Sequence, residues 1–297
     1  MSASRSSSAP RQASAPRQAS ATGTPPVVLS VAGTDSGGAA GTAADLTTFA
    51  ALGVHGACVV TAVTAQDTTA VHAVHPVPPA VVAAQVDAVL GDLPLAAVKT
   101  GMLGSPVVVA LVAELLAGSP SRPLVVDPVL VATSGAVLGD GAVVAAYVAS
   151  LLPVATVVTP NVDEARALLG RAPDDRTPAR DLAGELALLG AAVLLTGGPD
   201  PRHDEHARCC TDWLALPGAE PRALRHPRVA TRNDHGSGCT YASALAAHLA
   251  QGEGLASAAD RAAAYTAHQL VRSAPWRLGR GRGPVAHVHP HPAGEPA

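Results

Sequence analysis

The sequence predicts an α/β fold in which a mostly parallel sheet is covered by helices on both faces. Short Val-rich runs that are apolar from end to end alternate with longer Ala- and Leu-rich segments. A strand buried on both faces shows no polar alternation, and helical crossovers set one strand parallel to the next. Apolar residues make up 48% of the 297 residues and charged residues 14%, which is enough for a large core. Aromatics are only 2%, so Ala, Val and Leu must build that core.

The elements follow in order. VVLSVAG (27–33) reads as a strand ending in a Gly/Asp/Ser loop. AADLTTFAALG (43–53) reads as a helix, with Leu46, Phe49 and Ala50 at helical spacing and Gly53 as its stop. CVVTAVTAQ (58–66) is the second strand, and PPAVVAAQVDAVLGD (78–92) a helix opened by proline in its first turn. AAVKTG (96–101) is strand-like, PVVVALVAELLAG a helix, and PLVVDPVL (123–130) a buried strand that stops at a proline. Next come the helix AYVASLLP, the strand ATVVTP (155–160), the helices NVDEARALLG and DLAGELALLG (181–190), and the strand AAVLLTGG (191–198). A helix from Thr240 to near Gly252 and a long one over 256–274 complete the series.

Twenty Lys and Arg against 23 Asp and Glu give a net charge of −3, which argues against nucleic acid or an anionic membrane as a partner. Phe49 is the single Phe, so a stacking platform for single-stranded nucleic acid is not expected. No apolar run is long and unbroken enough to span a membrane, and the N-terminus lacks a signal peptide's apolar core. Cys58, Cys209, Cys210 and Cys239 form no C-x-x-C pair and no zinc spacing. A reduced, cytoplasmic protein is expected, with Cys209 and Cys210 as small buried side chains rather than a metal site.

Residues 1–26 are Ser-, Ala- and Pro-rich, with SAPRQA in tandem at 8–13 and 14–19 and no acidic residue. Such a segment buries too little surface to offset its ordering entropy, so a disordered tail is expected. Its composition also fits a transit peptide, but a plain extension is the simpler expectation. One domain then spans 27–287, and 288–297 is a second disordered tail. His287, His289 and His291 alternate in a proline-containing chain end and read as solvated rather than metal-binding.

Ligands of parallel sheets bind at the carboxyl ends of the strands, and the polar residues of this chain collect there. Asp35 follows the first strand within AGTDSGGAAGTAADL, a loop that matches neither G-x-x-x-x-G-K-[ST] nor G-x-G-x-x-G. Asp127 follows the Val-rich part of the strand segment 123–130, with ATSGA at 132–136 beyond it. Asn161 and Glu164 share one face of a first helical turn, where they could equally form only a capping box. Thr196, Gly197 and Gly198 end the strand segment 191–198, and DHGSGC opens the helix at 240. The row is acidic and shows no basic catalytic residue. Asp127 and Glu164 suit Mg²⁺, often through water, and N–H groups around Gly236–Cys239 suit a phosphate. Together they suit phosphoryl transfer, in which positioning and charge stabilisation are most of the catalysis.

These stretches resemble the hydroxymethylpyrimidine/phosphomethylpyrimidine kinase family of thiamine biosynthesis, within the ribokinase superfamily. The likeness is carried by AGTDSGGAAGTAADLTTFAALGVHG, TAVTAQDT, VKTGMLG, VVDPVLVATSG, VVTPNVDEARALLG, LLTGG, DHGSGCTYASALAAHLAQG and GRGPVAH, in the family's order over roughly 27–287. The resemblance implies a three-layer α/β/α ribokinase-like sandwich, ATP with Mg²⁺, and a homodimer. It further implies two phosphorylations, of 4-amino-5-hydroxymethyl-2-methylpyrimidine and then of its monophosphate. A pyridoxal- or pyridoxine-type kinase, or a pyrimidine-binding regulatory relative without turnover, are the alternatives.

Carried over, Asp35 falls in the pyrimidine pocket with Met102 and Val129, and Asp127 and Glu164 near the metal. Asn161, Thr196, Gly197 and Gly198 fall at the nucleotide, and Gly236, Ser237, Gly238 and Cys239 form the anion hole. Cys239 stands where most superfamily sugar kinases have a basic Asp, so it is expected to accept the hydroxyl proton or to orient the hydroxyl. A helix N-terminus tends to lower a thiol's pKa, although an incoming phosphate opposes ionisation. Two positions depart from the pattern: Ala43 replaces a glutamine that meets the pyrimidine ring, and Thr133 replaces a lysine found in many relatives. A cation for phosphate is then either missing or supplied from elsewhere.

Overall fold

A computed structural model describes residues 23–117, 122–133, 135–198 and 208–288. Along the chain come β1 (Val27–Ala32), α1 (Gly41–Ala51), β2 (His55–Val60), β3 (Ala62–Gln66), β4 (Val71–Pro76), α2 (Pro79–Asp92), β5 (Leu95–Thr100) and α3 (Pro106–Ala117). The second half holds β6 (Leu124–Val126), α4 (Gly141–Ala146), β7 (Val157–Val158), α5 (Val162–Leu168), α6 (Ala179–Ala187) and β8 (Ala192–Leu195). It closes with β9 (Cys209–Ala215), β10 (Arg222–Pro227), α7 (Ser237–Ala250) and α8 (Leu255–Ser273). The main sheet runs β10-β9-β8-β7-β6-β5-β1-β2, parallel from β2 to β8, with β9 and β10 antiparallel at one edge.

Side chains alternate across the pleat, and each set meets its own helices. Leu29, Val31, Val126 and Val158 pack with Val86 of α2, Val112 of α3 and Leu182 of α6 on one face. Val28, Val125 and Val157 pack with Phe49 of α1, Leu245 of α7 and Ala262 of α8 on the other. This is the expected three-layer sandwich. Every residue of α7 from Thr240 to Leu249 is buried. Its Ala and Ser residues let that helix lie close against sheet and neighbours, and its first turn therefore has a fixed place at the strand ends.

The structure departs from the sequence reading at four places. The expected strand 58–66 breaks at Thr61, whose Oγ1 donates to the Met102 carbonyl at 2.7 Å. Beyond it β3 leaves the main sheet and pairs with β4 as a separate antiparallel ribbon. The expected helix at AYVASLLP is instead the end of α4, capped by Asp140, followed by a π turn at Tyr147–Leu151 and a 3₁₀ turn at Leu152–Val154. Pro153 cannot donate to a helical ladder, which is why the last turn tightens. β9 and β10 were not expected at all. Finally, α7 begins at Ser237, three residues before Thr240.

Smaller expectations also shift. Cys209 is exposed and Cys210 half-buried, and the described residues contain no cluster of His, Cys, Asp or Glu fit to hold a metal by itself. His287 is not solvated: its Nε2 lies 3.0 Å from Thr240 Oγ1. Residues 1–22, His289 and His291 lie outside the described residues. Among the described residues no helix is long and apolar enough to cross a membrane.

Candidate active site

A cavity of about 770 Å³ runs along the carboxyl ends of the strands, from the loop after β1 to the residues after β10. Its wall includes Asp35, Met102, Val129, Asp127, Glu164, Asn161, Thr196, Gly198 and Gly236 through Cys239. The structure thus gathers most of the residues singled out in the sequence. It does not gather Ala43 or Gly197, which are absent from the wall. Ala43 sits half-buried on α1. Gly197 instead donates its N–H to Asp212 Oδ1 at 3.2 Å, a bond that fixes the loop behind the wall.

Asp35 organises a loop. Its Oδ1 accepts the Gly37 N–H at 2.8 Å, and its Oδ2 accepts those of Ala39 and Ala40 at 3.0 and 2.9 Å. The same Oδ2 lies 3.2 Å from His235 Nε2, which in turn lies 2.9 Å from Gln66 Nε2. Burial opposes the Asp35 charge, but these donors outweigh it and hold the carboxyl below its ordinary value. With both oxygens engaged, Asp35 shapes the end of the cavity nearest β1, which Gln66 also lines.

The loop at 234–239 is locked against this one. Gly236 has φ +85°, and a Cβ there would lie 1.8 Å from the Ala39 carbonyl oxygen. Gly236 also offers no side chain to cap α7. Ser237 N–H bonds the Asp234 carbonyl and Thr240 N–H the Gly236 carbonyl, but among the described residues no such bond engages Gly238 N or Cys239 N. Two backbone donors at the positive end of a buried helix are therefore left for an anion. Gly236→Ala is expected to cost about 1–3 kcal/mol in urea denaturation through backbone strain, and to raise the KM for nucleotide by displacing these donors.

The middle of the cavity holds a cation that the sequence reading missed. Lys99, the only lysine in the chain, is completely buried. Its Nζ lies 2.9 and 3.1 Å from the two oxygens of Asp45, and 3.5 Å from Asp127 Oδ2. Asp45 also accepts the hydroxyls of Ser30 at 2.5 Å and Ser243 at 2.7 Å. Burial alone would strip the Lys99 proton, but Asp45, Cys239 and Asp127 together hold it on. A lone lysine inside an otherwise apolar strand was the available signal, since a buried ammonium requires an acid beside it.

The two acids read as metal ligands behave differently from Asp45. Asp127 is buried and its Oδ2 has no hydrogen-bonded partner, since the contact to Lys99 is an ion pair without hydrogen-bond geometry. Burial pushes its carboxyl up, against the pull of Lys99. Glu164 forms the capping box: Oε2 accepts Asn161 N–H at 3.0 Å, while Asn161 Oδ1 accepts Glu164 N–H at 2.9 Å. Burial, with Asp127 nearby, pushes Glu164 up to about 8. Two neighbouring carboxyls lining one cavity, with Asp127 opposing the charge of Glu164, fit a divalent cation completed by water and phosphate oxygens. Cys239, in turn, is pushed up to about 12 by burial and by Asp127 and Asp45, against Lys99. The lowering expected from the helix terminus is outweighed.

At the far end Asn161 and Thr196 form a parallel bridge, and Asp212 Oδ2 lies 3.1 Å from His226 Nε2. Val229, Ala263, Ala267 and Leu270 add an apolar slot between β10 and α8. A flat heterocycle fits such a slot, with its charged tail toward the α7 terminus.

A family model described as phosphomethylpyrimidine kinase matches residues 35–286. A hydroxymethylpyrimidine/phosphomethylpyrimidine kinase from Haemophilus influenzae is 41% identical over 261 residues, covering 88% of this chain and 96% of the relative. The thiamine biosynthesis bifunctional protein ThiED of Geobacter sulfurreducens is 45% identical over 262 residues. The match takes in 88% of this chain but spans only 52% of that protein. Among solved structures, the pyridoxal kinase of Staphylococcus aureus in complex with pyridoxal superposes with a TM-score of 0.77 at 33% identity, covering 89% of this chain and 94% of the other. The same enzyme has been solved in complex with AMP-PCP.

Proposed function

The chain belongs to the phosphomethylpyrimidine kinase family, and we propose that its strand-end cavity phosphorylates a pyrimidine alcohol and then the resulting monophosphate. The domain at 27–287 transfers the γ-phosphoryl of ATP to the hydroxymethyl oxygen of 4-amino-5-hydroxymethyl-2-methylpyrimidine. The new P–O bond forms as the bond to ADP breaks, and the hydroxyl proton leaves to a group of the enzyme. In the second round an oxygen of the monophosphate attacks a second γ-phosphoryl. One observation carries the reading: Asp127, Glu164 and the unengaged N–H groups of Gly238 and Cys239 line one cavity. A ring end and a nucleotide end lie on either side of them.

In this reading Asn161, Thr196 and Gly198 border the nucleotide, and Met102, Val129 and Gln66 border the ring. The Gly238 and Cys239 N–H groups meet the charge that grows on the transferring phosphoryl. Asp127 and Glu164 would hold Mg²⁺, which when bound supplies charge neutralisation for the phosphate oxygens. Cys239 rests as a neutral thiol; to act as base it first releases its own proton to solvent, and the thiolate then takes the hydroxyl proton as the phosphoryl arrives. A homodimer in the cytoplasm completes the proposal, and light scattering of the purified protein reads the first half of that statement.

The purified protein with ATP·Mg²⁺ and the pyrimidine alcohol is expected to release ADP, and to release more when given the monophosphate. Turnover of neither pyrimidine would sink the proposal. Pyridoxal is the competitor to include, because Ala43 leaves the ring end one amide short and a solved relative is a pyridoxal kinase. A higher kcat/KM for pyridoxal than for the pyrimidine alcohol would reassign the substrate.

A further inference from the structure

The second phosphorylation brings a dianionic substrate into a cavity whose wall is acidic. Asp35, Asp127, Asp163, Glu164, Asp212 and Asp234 all line it, against Lys99, Arg228 and Arg282. Lys99 is buried against Asp45, and Arg228 neighbours Pro227 and Val229 at the nucleotide end. Arg282 is the cation left at the ring end. It lines the main cavity and also a small side chamber shared with Gln66, Thr133 and His235.

The chain holds Arg282 there by construction. Its N–H bonds the Thr68 carbonyl at 3.1 Å, and Gly281 beside it lies so close that a Cβ would come within 1.9 Å of that same oxygen. Two residues on, Pro284 bridges His235, with His235 N–H on the Gly283 carbonyl and Val285 N–H on the His235 carbonyl at 3.0 and 3.1 Å. The segment that carries Arg282 is thus zipped to the residue preceding Gly236. Its guanidinium donates from Nε to Asp234 Oδ1 at 2.7 Å and from Nη2 to Asp234 Oδ2. The side chain remains 54% exposed, so donors are still free to face the cavity.

We infer that Arg282 is the cation that receives the phosphate of the monophosphate substrate, held ready by Asp234 and by the arch at 279–285. The inference rests on the kinase reading above. A planar guanidinium offers a phosphate paired donors, and Asp234 keeps it extended until the dianion competes for it. It also answers the loss of a lysine at Thr133: the two residues line the same small chamber, so a cation at either position stands beside the same space.

Arg282→Ala is expected to lower the ratio of kcat/KM for monophosphate over that for alcohol by about tenfold or more, and Arg282→Lys to lower it less. In the Arg282→Ala background, Thr133→Lys is expected to recover part of the ratio. Calorimetric binding of the monophosphate without ATP is expected to weaken by about tenfold in Arg282→Ala. Equal losses on both substrates, no change in the ratio, or a parent protein that binds no monophosphate would each overturn the inference. A parent that binds the monophosphate yet turns over neither substrate would instead overturn the kinase reading and leave the Arg282 site standing on the binding data.

Discussion

Lys99→Met is expected to destabilise the protein by about 3–5 kcal/mol in urea denaturation and to abolish turnover. The ammonium is fully buried and sits between Asp45 and Asp127, neither of which has another cation within ion-pair distance among the described residues. Removing it strands buried carboxylates, and they must either pick up protons or draw solvent in. The two effects separate in a double variant. Lys99→Met with Asp45→Asn leaves a neutral pair of similar volume, and the amide can still meet the hydroxyls of Ser30 and Ser243. That protein is expected to recover most of the lost stability, since replacing a buried pair costs far less than breaking one. It is not expected to recover turnover, because Asp127 would still lack its counter-charge beside the cavity. Restored turnover in the double variant would reduce Lys99 to a packing residue.

What could be read from the chain follows from how far each feature depends on tertiary contact. The strands β1, β5 and β8 were legible because they are mostly buried and mostly apolar, with Ser30, Lys99 and Thr100 as the exceptions. The ribbon of β3 and β4 was not, since VHAVHP is exposed almost along its length and carries no core signal. The β9–β10 hairpin had a signal in Pro217-Gly218, a turn pair between two alternating runs, but its strands are too polar to stand out. At the site, the acids and glycines after each strand were legible because strand ends are where ligands bind. Their division of labour was not. Asp35 spends its carboxylate on loop N–H groups, and Lys99 lies within a strand, where sequence reasoning looks for packing. Arg282 needed a bridge between residues some fifty positions apart, which no local pattern announces.

Cys239→Ala is expected to lower kcat for the pyrimidine alcohol by about 10²–10⁴-fold with little change in KM, and to lower kcat for the monophosphate far less. The two steps differ in their protons. The alcohol must lose one as its oxygen bonds phosphorus, whereas a monophosphate above its second pKa of about 6 presents an oxygen with none to lose. A group that serves as proton acceptor matters to the first step alone; a group that merely orients the acceptor matters to both. The pH profile adds a second criterion. A thiol pushed up to about 12 is ionised in only about 1 molecule in 100,000 at pH 7, and it does not titrate between pH 6 and 9. Whatever pH dependence the parent shows in that window therefore belongs to other groups, and the residual activity of Cys239→Ala is expected to follow a profile of the same shape. If the alanine variant instead loses a rise near pH 8.5, the thiolate is preformed in the working enzyme. Burial would then have been overcome by bound substrate, with Lys99 and the α7 terminus as the groups able to supply the opposing charge.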